Sequence, residues 1–110
     1  MKTKHYKIEV FLPKEYIAPV LNDLTKLGAC RVGDYDHVAS FMEVQGYWRP
    51  LEDAKPFGGE KNQINHGQEY KLEVRCPEEV VKQALDRIKE IHPYEEVMIN
   101  IIPIHNHLFE

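Results

Sequence analysis

Tyr6-Lys7-Ile8-Glu9-Val10-Phe11-Leu12-Pro13 returns as Tyr70-Lys71-Leu72-Glu73-Val74-Arg75-Cys76-Pro77, displaced by 64 residues. In the first copy Tyr6, Ile8, Val10 and Leu12 alternate with Lys7, Glu9 and Phe11. A period of two places the first set on one face of a strand. In the second, Tyr70, Leu72 and Val74 alternate with Lys71, Glu73 and Arg75. The displacement carries on past the prolines: Ile17, Leu21, Leu24 and Leu27 fall on Val81, Leu85, Ile88 and Ile91. These apolar positions recur at helical spacing and make one stripe that must pack on something. Each copy therefore reads as strand then helix, in a two-fold repeat rather than a solenoid array.

The helix boundaries follow from punctuation. Pro13 and Pro77 suit the first helical position, where a missing N–H costs nothing. Pro19 removes a backbone donor further in, which predicts a kink there or a start later than Pro13. Gly28 is a terminator for the first helix, and Pro93 ends the second, because the residue before proline avoids the helical region. Val38–Val44 alternate as a further strand, and Gln45-Gly46 signals a turn with Tyr47-Trp48-Arg49 as a short return strand. From about 50 to 67, Pro50, Pro56, Gly58, Gly59, Asn62, Asn65 and Gly67 predict a long loop of the functional or mobile kind. Val97–Ile102 is apolar on both faces, as a central strand would be.

The order β-α-β-β-α-β predicts an α+β, ferredoxin-like sandwich, an antiparallel sheet with two helices on one face. The opposite sheet face would stay open, carrying Phe11 and Phe41 among charges, and such faces mark association. At 110 residues the chain fits one domain, with a core from about 5 to 104 and a tail over 105–110. It is 43% hydrophobic and 29% charged, which excludes disordered and collagen-like classes. A net charge of −4 with no basic face argues against nucleic acid. No segment approaches the ~20 apolar residues of a membrane span, and the amino-terminal residues lack the apolar run of a signal peptide. Cys30 and Cys76 make no disulfide framework. They read as free, buried thiols in a cytoplasmic protein.

Four groups of residues carry candidate chemistry. Gly33-Asp34-Tyr35-Asp36-His37 can bind a metal or move protons, or can simply build a turn. His92-Pro93-Tyr94-Glu95-Glu96 joins the second helix to the last strand. Its histidine either complements the helix dipole or shares a cleft with His37 or Glu60. His105 and His107 would point the same way on an extended segment, as a chelating pair, unless the tail frays. Gly58-Gly59-Glu60 offers backbone N–H groups to an anion, without a Walker lysine. Trp48 and Tyr47 can stack on a ligand or pack between subunits, and packing is the favoured reading. No nucleophile elbow and no His-Glu-x-x-His is present.

Taken in order, several motifs resemble a known family. They are Tyr6-Lys7-Ile8, Gly28-Ala29, Arg31-Val32-Gly33-Asp34-Tyr35-Asp36, Arg49-Pro50-Leu51, Pro56-Phe57, Gly59-Glu60 and His92-Pro93-Tyr94-Glu95-Glu96. The sequence is similar to the PII-like or CutA-like domain inserted in Nif-three-like proteins, also called GTP cyclohydrolase I type 2 homologues. The resemblance runs from about Tyr6 to Ile104. It implies a PII/CutA-like fold and a homo-oligomer, with a trimer favoured. It does not imply cyclohydrolase activity, which belongs with a dinuclear metal site in the flanking domains of the longer proteins. Departures are Val38-Ala39-Ser40 in place of a Cys-Ser pair, Val97 in place of a proline, and the stretch 61–68.

Together these readings predict a small oligomeric binding or regulatory module rather than an enzyme. Its ligand residues would be Tyr35, Asp36, Arg49, Glu60 and Tyr94. His37, His92 and Glu96 would hold a divalent metal ion, copper or zinc, in a cleft between subunits. Arg49 would hold a carboxylate or phosphate. Two alternatives stand beside it. In one, Arg49, Asp36 and Glu96 form an interface ion network with no ligand. In the other, Glu60 or Glu96 is the base of a metal-assisted hydrolase.

Overall fold

A computed structural model describes residues 4–110. Strand β1 is His5–Leu12, helix α1 Ile17–Leu27, and strand β2 Ser40–Trp48. Strand β3 is Asn65–Pro77, helix α2 Val81–Ile91, and strand β4 Ile99–Ile104. The four strands form one antiparallel sheet in the order β2-β3-β1-β4. This is the expected α+β arrangement.

The repeat holds at the level of element ends. Pro13 and Pro77 both adopt the extended conformation, with φ of −66° and −67°. Each leads into a 3-10 turn, Lys14–Tyr16 and Glu78–Val80, and then into an 11-residue helix. Both helices thus start later than their leading prolines. Pro19 becomes the third residue of α1, inside the first turn, where its N–H would have had no helical partner. The local pseudo-dyad runs between Glu9 and Glu73, which face each other on β1 and β3. It also relates Asp23 on α1 to Arg87 on α2, and these two pair at 2.6 Å.

Ile8, Val10, Leu12, Leu72, Val74 and Cys76 point from β1 and β3 into the core. Val20, Leu24, Ala84 and Ile88 meet them from the helices. Burying such side chains supplies about 1.5–3 kcal/mol each. The two thiols lie in this core with no exposure, and burial pushes Cys76 up to about 12 and Cys30 upward as well. Both are free and inert to base-promoted chemistry.

Four expectations need correction. Strand β4 is an edge, paired only with β1. Its two apolar faces reflect Ile99 and Ile101 under the helices and Ile102 and Ile104 on the open face. Gly46 makes no turn: β2 runs on through Tyr47 and Trp48, with Gly46 opposite Gly67. The long loop is therefore 49–64, because Asn65–Gly67 already pair in β3. Phe41 lies opposite Leu72 and so belongs to the helix side, but on the edge strand β2, where it is 56% exposed.

Candidate functional site

The chain path sorts the candidate residues into two groups. Helix α1 returns the chain to the start of β1, so residues 28–39 lie at that end of the sheet. They are tied there by the Cys30 N–H donating to the Arg75 carbonyl at 2.9 Å. Helix α2 delivers residues 92–98 to the other end of β1, where the Phe11 N–H donates to the Met98 carbonyl. The β2–β3 loop lies beyond that second end. The two ends of the eight-residue β1 are roughly 23 Å apart. Tyr35, Asp36 and His37 therefore sit at one pole, and Arg49, Glu60, His92, Tyr94 and Glu96 belong to the other. One chain does not bring His37 and His92 together.

At the first pole, Gly28 closes α1 in the left-handed conformation, φ 108°. The Ala29 N–H reaches the Leu24 carbonyl and the Gly28 N–H the Thr25 carbonyl, the paired pattern of a Schellman end. Val32 and Tyr35 exchange backbone hydrogen bonds across a turn containing Gly33. Asp36 and His37 follow. His37 Nδ1 donates to Asp36 Oδ1 at 2.9 Å, and Nε2 lies 3.1 Å from Asn22 Oδ1 on α1. The histidine hydrogen bond holds the Asp36 carboxyl below its ordinary value. Tyr35 is exposed.

The second pole is built around an aromatic cluster. His92 is buried, and its Nε2–H donates to the Phe11 carbonyl. The Tyr94 N–H donates to Nδ1 at 3.2 Å. Both ring nitrogens are engaged, and burial pushes the imidazole below its ordinary value, so it is neutral. Tyr94 packs on His92 at 4.6 Å between ring centroids and on Phe57 at 5.7 Å. Its hydroxyl donates to Glu69 Oε1 at 3.1 Å. Burial, followed by the Glu69 charge, pushes that phenol up to about 12. Glu95 rather than Glu96 grips the loop, accepting from the Lys55 N–H at 2.9 Å. Arg49, Glu60 and Glu96 are exposed.

The loop over 49–64 is held by specific bonds. Trp48 Nε1 donates to the Gly58 carbonyl at 3.2 Å. Asn65 accepts from the Glu60 N–H and donates to the Glu60 and Gln63 carbonyls. Gly59 has φ 88°, and a Cβ there would meet Trp48 Nε1 at 2.8 Å. Trp48 lies over Gly67, and the Tyr47 ring lies beside His66 while staying 77% exposed.

Between the poles, the open face carries a four-residue charge network. Lys7 reaches Glu9 at 3.2 Å and Glu73 at 3.6 Å. Lys71 reaches Glu73 at 3.4 Å and Glu9 at 4.0 Å. Glu9 is held below its ordinary value by the Lys7 hydrogen bond. These four residues are the two copies of one Lys-x-Glu, a signal present in the repeat but unread. Met42 and Ile102 flank the network, 46% and 38% exposed.

Among the described residues, no three His, Cys, Asp or Glu side chains come together as a metal site. His105 and His107 do not lie on an extended segment. Residues Asn106–Leu108 form a 3-10 turn, with the two rings edge to face at 6.2 Å. Among the described residues no helix is long and apolar enough to cross a membrane.

No family model matches the chain. It is 39% identical over 98 residues to a GTP cyclohydrolase 1 type 2 homolog of Bacillus subtilis, covering 89% of this chain and 26% of that protein. The protein of that name from Staphylococcus epidermidis is 31% identical over 98 residues, covering 89% of this chain and 27% of its own. The chain thus spans about a quarter of the length of the curated relatives it matches. Among solved structures, a Bacillus cereus protein related to NIF3 superposes with a TM-score of 0.80 at 26% identity, over 94% of this chain and 26% of that one. CutA from Archaeoglobus fulgidus superposes with a TM-score of 0.68 at 18% identity, over 92% of this chain and 84% of that one. Over most of its length, then, the chain is homologous to one quarter of the Nif3-like proteins named GTP cyclohydrolase 1 type 2 homologs, and it has the CutA/PII-like form of the ferredoxin-like fold.

Proposed function

We propose that this chain is a single-domain, cytoplasmic binding or regulatory module that works as a homo-oligomer, with a trimer favoured. The observation that carries this is the sheet itself. Both edge strands, β2 and β4, have one unpaired side. The open face leaves Met42 and Ile102 exposed on either side of a charge network whose members pair among themselves. Unpaired edges and exposed apolar faces are features that soluble proteins cover by association.

Assembly also gives the separated poles a purpose. Tyr35, Asp36 and His37 of one copy would face Arg49, Glu60, Tyr94 and Glu96 of the next. In that cleft His37 and Glu96 would hold a divalent cation such as zinc or copper. His92 would stand behind them, fixing Tyr94 through its Nδ1. Arg49 would take a carboxylate or phosphate on the same ligand. The cyclohydrolase activity in the relatives' name is not carried over, because the chain corresponds to about a quarter of their length.

A mixing experiment tests the cleft. Zinc retained after gel filtration should be lost in His37→Ala and in Glu96→Gln, each assembled normally. Unfolding and refolding the two variants together should restore part of it, because some junctions then join two intact halves. Zinc retained by both variants, or no recovery on mixing, contradicts the cleft. An oligomer that binds no zinc in any form favours the ligand-free interface network.

A further inference from the structure

His92 is fixed in one protonation state by its two partners. The Phe11 carbonyl can only accept, so Nε2 carries the hydrogen. The Tyr94 N–H can only donate, so Nδ1 is bare. A second proton has only Nδ1 to occupy, and there it would point at the Tyr94 N–H. The residue is 7% exposed, so relieving that clash means moving the segment over 92–95. That segment is also what grips the long loop. Phe57 packs on the Tyr94 ring, and Glu95 accepts from the Lys55 N–H. Charged groups approach the cluster from two other elements. Glu69 on β3 favours a proton on His92 and holds the Tyr94 hydroxyl. Glu15, in the turn after β1, acts on Tyr94, and Lys14 of the same turn lies over the Tyr70 ring.

We propose that His92 is a proton-operated latch on the loop over 49–64. Taking up a proton at Nδ1 expels the Tyr94 N–H, frees the segment over 92–95, and lets go of Phe57 and Lys55 with it. In the latched form burial disfavours the imidazolium more than Glu69 and the Phe11 carbonyl favour it. Once released, the ring meets water and regains its ordinary affinity for a proton. The released form therefore gains population as pH falls below about 6.5, by at most about tenfold per pH unit for one proton. The latch lies within one chain, so it does not rest on the cleft between copies. Where that cleft forms, the latch controls the side that carries Glu60.

The test is amide hydrogen exchange by NMR on the untagged, isotope-labelled full chain, from pH 7.5 to 5. Rates are corrected for the intrinsic pH dependence of exchange. Protection of the Tyr94 and Lys55 amides should fall about tenfold between pH 7 and 5. At each pH both should exchange well ahead of Val10 and Leu72, which marks a local opening. The fall should follow the titration of the His92 ring, whose nitrogen shifts should show the Nε2–H tautomer at pH 7.5. His92→Gln keeps an N–H for the Phe11 carbonyl and takes up no proton, so it should remove the pH dependence. His66 is the competing titrant, beside Tyr47, and His66→Gln should leave the dependence in place. Exchange of Tyr94 in step with Val10 and Leu72 overturns the latch. So does an Nδ1–H tautomer, a fall that does not follow the His92 ring, or a pH dependence that survives His92→Gln.

Discussion

The β1–α1 and β3–α2 halves are copies of one unit, yet they leave their helices differently. Helix α1 ends on Gly28 in a left-handed turn, and the chain wraps the near pole through residues 28–39. Helix α2 ends on His92 in an extended conformation imposed by Pro93, and the chain runs straight across the far pole. The repeated parts bury the core. The unrepeated parts, the two helix exits and the loop over 49–64, hold nearly every polar side chain with candidate chemistry. In this molecule the duplicated unit is scaffold, and the candidate site residues fall where its copies differ.

The largest expected effect tests whether the copies are equivalent. Ile8 and Leu72 occupy matching positions and are both fully buried. Ile8→Ala and Leu72→Ala should each cost about 2–5 kcal/mol in denaturant unfolding. A large effect for one and a small one for the other would break the symmetry. Next come the two glycines that the exits and the loop require. Gly28→Ala should cost about 1–2 kcal/mol, through left-handed strain alone, since only Val80 lies near at 3.5 Å. Gly59→Ala adds a clash with the single tryptophan, so it should free the loop and shift Trp48 fluorescence while global stability moves less.

A third test separates the exits by pH. His92 is held neutral by burial, so the unfolded state binds its proton more readily than the folded state. Stability should therefore fall as pH drops below the unfolded value of about 6.5. His92→Gln should flatten that slope between pH 7 and 5, as read by thermal unfolding. The smallest effect belongs to the pseudo-dyad pair Asp23–Arg87, which is partly exposed. A double-mutant cycle to alanine should give a coupling of about 0.2–1 kcal/mol.

The strands and helices were legible because their causes are local. Alternation over Tyr6–Leu12, the helical stripes and the prolines each act within a few residues. The edge position of β4 was not legible, since Ile102 and Ile104 look like core residues until the sheet order leaves them on the open face. Gly46 read as a turn because its reason, pairing with Gly67 in the strip where Trp48 packs, lies in another strand. The candidate residues were recognised as chemistry but not as two poles, although tracing chain direction through two strand–helix units separates 28–39 from 92–98. Glu69 escaped notice because nothing adjacent to it signals Tyr94, 25 residues away.

Native mass spectrometry of the untagged chain, with and without equimolar zinc, tests the assembly most directly. The account predicts a trimer in both conditions, retaining a whole number of zinc ions per chain when the metal is supplied. A monomer in both conditions would contradict the paired edges and the cleft between copies together.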